Sequence, residues 1–130
     1  MVSVPSQMYE VRNARTQQLV ASHASFAASW RTRMVGLLGR RALPDGEALI
    51  FPRCRAIHTI GMRFPIDAIF IDRAWRVVAL RPALAPGLPA IWAWDAWGVI
   101  EAAQGTIASA QLRIGDQLEK GSGTIPAKGA

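Results

Sequence analysis

The chain holds one cysteine, Cys54, and one tyrosine in 130 residues. A single thiol excludes an internal disulfide framework and a multi-cysteine zinc site. Lysine is nearly missing: Lys120 and Lys128 stand against thirteen arginines. No uncharged run reaches the roughly eighteen residues that a membrane helix needs. The uncharged stretch between Arg81 and Asp95 carries Pro82, Pro86 and Pro89 as well. The opening Met1-Val2-Ser3-Val4-Pro5 lacks a basic segment leading into an apolar one, so the expectation is a cytoplasmic protein without a secretory signal. Long polar linkers and internal repeats are also missing, which points to one domain over residues 1–120 and a disordered tail over 121–130.

Hydrophobic residues make up 51% of the chain and charged ones 18%, which excludes a disordered protein. At this length folding buries roughly two-thirds of the extended chain's surface, enough for a real core. The net charge is +6. Arginine offers a planar donor fork suited to carboxylates and phosphates. A genome rich in GC also favours arginine and alanine without any functional demand. Nucleic-acid binders cluster such charge on one element with aromatic platforms between. Here the arginines are spread from Arg12 to Arg113, so nucleic acid is not the expected partner.

Periodicity predicts extended segments within residues 7–21, on either side of Asn13-Ala14-Arg15. Phe26, Trp30, Met34 and Leu37 recur at helical spacing, which predicts a helix over 26–38, with Ser25 as its cap and Gly39 as its stop. Leu43-Pro44-Asp45-Gly46-Glu47 reads as a turn. Strands are expected over 48–51, 57–59, 66–72, 76–80 and 117–119, and one long strand over 91–101. The 81–89 segment is expected as a proline-bearing loop, and 106–112 as a short helix. In the 66–72 strand, Ile66, Ala68 and Phe70 share one face and Asp67, Ile69 and Ile71 the other. Both faces are apolar apart from Asp67, so the strand should be covered on both sides. The fold class is mainly β: a small barrel or sandwich of mostly antiparallel strands with one or two short helices.

Two segments carry a resemblance. Arg33-Met34-Val35-Gly36-Leu37-Leu38-Gly39-Arg40 is similar to the Arg-x-x-Gly-Leu-Met-Gly-Arg signature of the domain-of-unknown-function family 192. His58-Thr59-Ile60-Gly61-Met62-Arg63-Phe64-Pro65-Ile66-Asp67 resembles its second signature, in the His-Thr-x-Gly-Met-Arg-Phe-Pro-Ile-Asp form of one subgroup. Gly46-Glu47 and Gly115-Asp116 also fall where the family has them, and the likeness covers about residues 16–119. Val35 stands where many members have arginine, Arg73-Ala74-Trp75 replaces an Asp-Gly hairpin tip, and residues 92–97 are unusually rich in tryptophan. The resemblance implies a compact, mostly β barrel-like fold and no established activity. It also brings an occasional setting near pilus or secretion genes.

A carboxylate on a covered strand needs a partner. For Asp67 the expected one is Arg33 or Arg40, tying a helix end to the sheet. An acid/base or ligand-anchoring role is the alternative. Cys54 and His58 are four apart, but no third ligand has motif spacing, so neither a metal nor a cofactor is expected. A Cys54–His58 nucleophile pair lacks a nameable orienting group, which leaves Cys54 as a packed small residue. The Gly-Leu-Leu-Gly stretch lacks the Lys-Ser/Thr of a phosphate loop. Trp92 and Trp94 fill the core or cover a sheet edge; were they exposed, they would mark a partner surface beside arginines. The reading is therefore a non-enzymatic ligand-binding or assembly module. Arg40, His58, Arg63 and Asp67 border its candidate surface, which would take a small anionic ligand or peptide. The alternatives are an enzyme using Asp67 and His58 as acid and base and single-stranded nucleic-acid binding.

Overall fold

The apolar alternation of the chain is resolved into strands in a computed structural model, which describes residues 7–27 and 42–122. The elements are β1 (Tyr9–Asn13), β2 (Leu19–Phe26), β3 (Glu47–Pro52), β4 (Ala56–Ile57), β5 (Ile66–Ile71), β6 (Val77–Leu84), β7 (Ile91–Trp92), β8 (Gly98–Ala103), α1 (Thr106–Ser109) and β9 (Leu118–Ser122). Seven strands form one sheet in the order β6-β5-β8-β3-β2-β1-β9, and β4 and β7 form a separate two-stranded ribbon. All pairings in the large sheet are antiparallel except β2 with β3. A parallel neighbour requires a long connection, and β2 ends at Phe26 while β3 starts only at Glu47.

The sheet curls into a half-barrel. At one end its two outer strands meet: Arg76 bridges Gln117, and Val77 donates to Asp116 O at 2.8 Å. The mainly β expectation therefore holds. Strands β5 and β8 are buried at every position. Ile69, Ile71, Ile100 and Ala102 pack into one core, while Ile66, Ala68, Phe70, Val99 and Ala103 pack into another on the opposite face. That two-sided cover is what the apolar faces of the 66–72 segment predicted.

Four local expectations are corrected. Ser25 and Phe26 belong to β2, so Ser25 caps no helix there; Phe26 meets Tyr9 edge-on, with ring centroids 5.6 Å apart. Residues 28–38 of the expected helix and the Gly-Leu-Leu-Gly stretch lie outside the described residues, as do residues 123–130 of the expected tail. The anticipated 81–89 loop begins late, because β6 runs on through Pro82 to Leu84. Proline is tolerated there because β6 is an outer strand that need not donate on its open side. The expected long strand over 91–101 is broken between β7 and β8 by a turn in which Ala96 donates to Ala93 O at 3.1 Å. The 106–112 helix shortens to the single turn α1.

The hairpin connection between β5 and β6 is an Asx turn. Asp72 Oδ1 accepts the Ala74 and Arg76 amides, both at 2.9 Å. Trp75 takes φ 65°, a region that costs a non-glycine residue about 1–2 kcal/mol. The same side chain packs against the first core, which offsets the strain.

Candidate functional site

The ribbon β4–β7 stands off the large sheet, and its flanks carry most of the chemistry. Its root is fixed by backbone bonds: Cys54 donates to Trp97 O at 2.8 Å, Ala93 to Arg55 O at 3.0 Å and Trp97 to Ile71 O at 2.7 Å. Its far side is held by Thr59, which is 1% exposed. The Thr59 hydroxyl donates to Ala85 O at 2.7 Å and accepts from the Leu88 amide at 2.8 Å. The Thr59 amide donates to Leu88 O, and its carbonyl accepts from Gly87, both at 2.9 Å. This one residue of the second signature therefore clamps the 85–88 loop that leads into β7. Sequence reasoning passed over it, although a hydroxyl residue between His58 and Ile60 within the signature was the available signal.

Two concavities flank the ribbon. The first, of about 590 Å³, is lined by Arg53, Arg55, Asp72, Arg73, Trp94 and Asp95 together with Ala74, Ala96 and Trp97. Asp72 is committed to its turn. The three arginines are exposed and make no ion pair among the described residues, where the ion pairs are Arg12–Glu10 and Arg15–Asp116. The second concavity, of about 600 Å³, has walls from Phe51, Ile57, Pro89, Ala90 and Trp92, with Cys54, His58 and Glu101 as its polar groups. The Cys54 thiol donates to Ala56 O at 3.0 Å. Trp92 lines the apolar cleft and Trp94 the arginine-rimmed one; their rings are 5.6 Å apart and tilted by 41°. These two indoles are 50% and 73% exposed. Trp75 and Trp97 instead pack against the core. The core-filling expectation thus fails for Trp92 and Trp94, because β7, which holds Trp92, and the turn after it, which holds Trp94, belong to the ribbon and not to the large sheet.

Asp67 occupies a different place. It is 1% exposed, and both carboxylate oxygens are engaged by backbone amides. Oδ1 accepts Ala83 N at 2.9 Å, while Oδ2 accepts Gly105 N at 3.2 Å and Ile107 N at 2.9 Å. The carboxylate thereby caps α1 from a neighbouring strand and stitches in the irregular end of β6, where Ala83 takes φ 50°. Three amide donors are sufficient to hold a buried carboxylate. Arg33 and Arg40, the expected partners, lie outside the described residues.

Register explains which carboxylate faces the cleft. Asp67 pairs with Ala102, and Ala68 with Glu101. Because side chains alternate along a strand, Asp67 and Glu101 project to opposite faces of the sheet. The structure thus brings His58 together with Glu101, which is 1% exposed, and leaves Asp67 behind the sheet. Glu101 was missed as a site residue, since its buried position depends on a strand register that the sequence does not display. Arg63 is exposed and lines neither concavity. Among the described residues no group of three or more His, Cys, Asp or Glu side chains could hold a metal, and no helix is long and apolar enough to cross a membrane.

A second polar cluster closes the half-barrel. Asp116 accepts from Arg15 Nε at 2.8 Å, Arg15 Nη2 at 3.2 Å, Arg113 N at 2.9 Å and Asn13 Nδ2 at 3.1 Å. The Arg15 guanidinium beside it holds the Asp116 carboxyl below the usual carboxylate range. Asn13 is fully buried and also donates to Ala110 O at 3.0 Å.

A mainly β half-barrel with a clefted ribbon places the chain among small proteins whose fold alone names no chemistry. The profile of DUF192, described as uncharacterized ACR, matches residues 11–120, and the chain belongs to that family. Comparison with curated proteins finds no match. Among solved structures, it is similar to a protein from Sinorhizobium meliloti described as a candidate transcription regulator. That likeness has a TM-score of 0.72 and 21% identity, covering 95% of this chain and 99% of the other. It is also similar to a protein of unknown function from Novosphingobium aromaticivorans, with a TM-score of 0.69 and 22% identity, over 86% and 83% of the two chains. At such identities the shared property is the fold.

Proposed function

We propose that this protein is a non-enzymatic binding module whose ligand presents an anionic group to the concavity rimmed by Arg53, Arg55 and Arg73. The observation that carries the reading is the convergence of those three side chains, with Trp94, on one cleft. Guanidinium groups match carboxylate and phosphate oxygens in a bidentate manner, and an adjacent indole supplies an apolar wall. Against an acid–base enzyme built on Asp67 and His58 stands the sheet between them. Asp67 has its oxygens committed to backbone amides, as a structural acceptor would.

Calorimetric titration with inorganic phosphate and with citrate tests the reading. Saturable binding of either anion is expected, weakened at least about tenfold in an Arg55→Ala/Arg73→Ala variant and by added salt. Failure of both anions to bind at low salt would overturn it. So would tighter retention of a single-stranded oligonucleotide than of either small anion, with a steep salt dependence.

A further inference from the structure

The two concavities are neighbours, and the feature between them is an exposed pair of indoles. Trp92 belongs to the apolar cleft and Trp94 to the arginine-rimmed one, and the rings touch across the boundary. Exposing two contacting tryptophans is costly in water, and exposed apolar surface of this kind marks a place that another molecule covers. On one side of the pair the walls are Phe51, Ile57, Pro89 and Ala90. On the other are three guanidinium groups. A ligand that satisfies both sides at once has an anionic head and an apolar body.

We infer that the ligand is an anionic amphiphile: its phosphate or carboxylate head rests on Arg53, Arg55 and Arg73, and its hydrocarbon body crosses Trp94 and Trp92 into the Phe51–Ile57–Pro89–Ala90 cleft. This deepens the anion-binding reading and rests on it. Each cleft is large enough for a small organic group, at about 590 and 600 Å³. The geometry also divides the labour. The head supplies orientation through charge-assisted hydrogen bonds, and the body supplies affinity, which grows with every methylene removed from water. Phe51 and Ile57 belong to the second core, so this part of the cleft wall is set by the folded core and needs little ordering on binding.

The test is calorimetry on the full chain with octyl phosphate below its micellar range, beside inorganic phosphate and 1-octanol. Octyl phosphate is expected to bind at least about a hundredfold tighter than inorganic phosphate, since a buried alkyl chain adds affinity per methylene. Arg55→Ala should weaken octyl phosphate about tenfold, and Trp92→Ala should weaken octyl phosphate but leave inorganic phosphate unchanged. Thermal melting of each variant verifies that it is folded. Equal affinity for octyl phosphate and inorganic phosphate overturns the amphiphile and leaves the anion site standing. Equal affinity for octyl phosphate and 1-octanol, with no phosphate binding, overturns both. Binding to phosphatidylglycerol vesicles without binding to the monomeric probe also overturns the inference, in favour of a membrane surface.

Discussion

Replacing Asp67 by alanine leaves three backbone amides, those of Ala83, Gly105 and Ile107, facing a space from which their acceptor has gone. The site is 1% exposed, so water has little room to substitute without rearrangement. A buried amide without a partner costs about 1–3 kcal/mol, and bonds to a charged acceptor are at the stronger end. Allowing α1 and the end of β6 to shift and recover part of this, Asp67→Ala should lose about 3–5 kcal/mol, a large share of a small domain's stability. Asp67→Asn keeps the shape but offers one acceptor oxygen and turns an NH₂ toward amide donors. It should lose about 1–3 kcal/mol. Urea denaturation read by circular dichroism gives both values from the midpoint at constant slope. A loss below about 1 kcal/mol for the alanine variant would refute the assignment of these amides as the carboxylate's structural partners.

Thr59→Val removes the hydroxyl that joins Ala85 O and Leu88 N, and should cost about 2 kcal/mol while loosening the 85–88 loop. Faster amide exchange confined to residues 85–92 would verify it. Gly98→Ala should destabilise by about 1–3 kcal/mol, because a Cβ there would lie 2.8 Å from Phe51 O in the neighbouring strand; unchanged melting would count against that contact. For pH, the Asp116 carboxyl is held below its ordinary value of 3.8 chiefly by the Arg15 side-chain bond. A depressed carboxyl adds stability in full above its unfolded pKa and loses it as pH falls through the folded one. Urea midpoints should therefore drop below about pH 4, and more steeply in the wild type than in Asp116→Asn. Parallel curves would dismiss the linkage.

Much of the architecture was legible before any coordinates. The doubly apolar run Ile66–Ile71 specified a strand covered on both faces, and β5 is one. Asp45-Gly46 and Gly115-Asp116 specified turns, and the backbone takes φ 87° and 97° at those glycines. Residues whose neighbours along the chain decide their conformation can be read in this way, because turn and strand preferences are local.

The site was legible only in part. His58 was singled out, but the carboxylate that shares its cleft is Glu101, not Asp67. The arginines that gather at the ribbon are Arg53, Arg55 and Arg73, which nothing in the linear pattern sets apart. By itself the sequence determined the class of fold, the covered central strand and the need of Asp67 for buried partners. Tertiary structure alone decided that those partners include the Ala83, Gly105 and Ile107 amides, that Trp92 and Trp94 face outward, and that Glu101 and Asp67 point apart. The physical reason is that side chains alternate with a period of two residues. Which face a side chain takes, and what it meets there, follows from strand register and turns between distant segments, and that information is not local to any stretch of the chain.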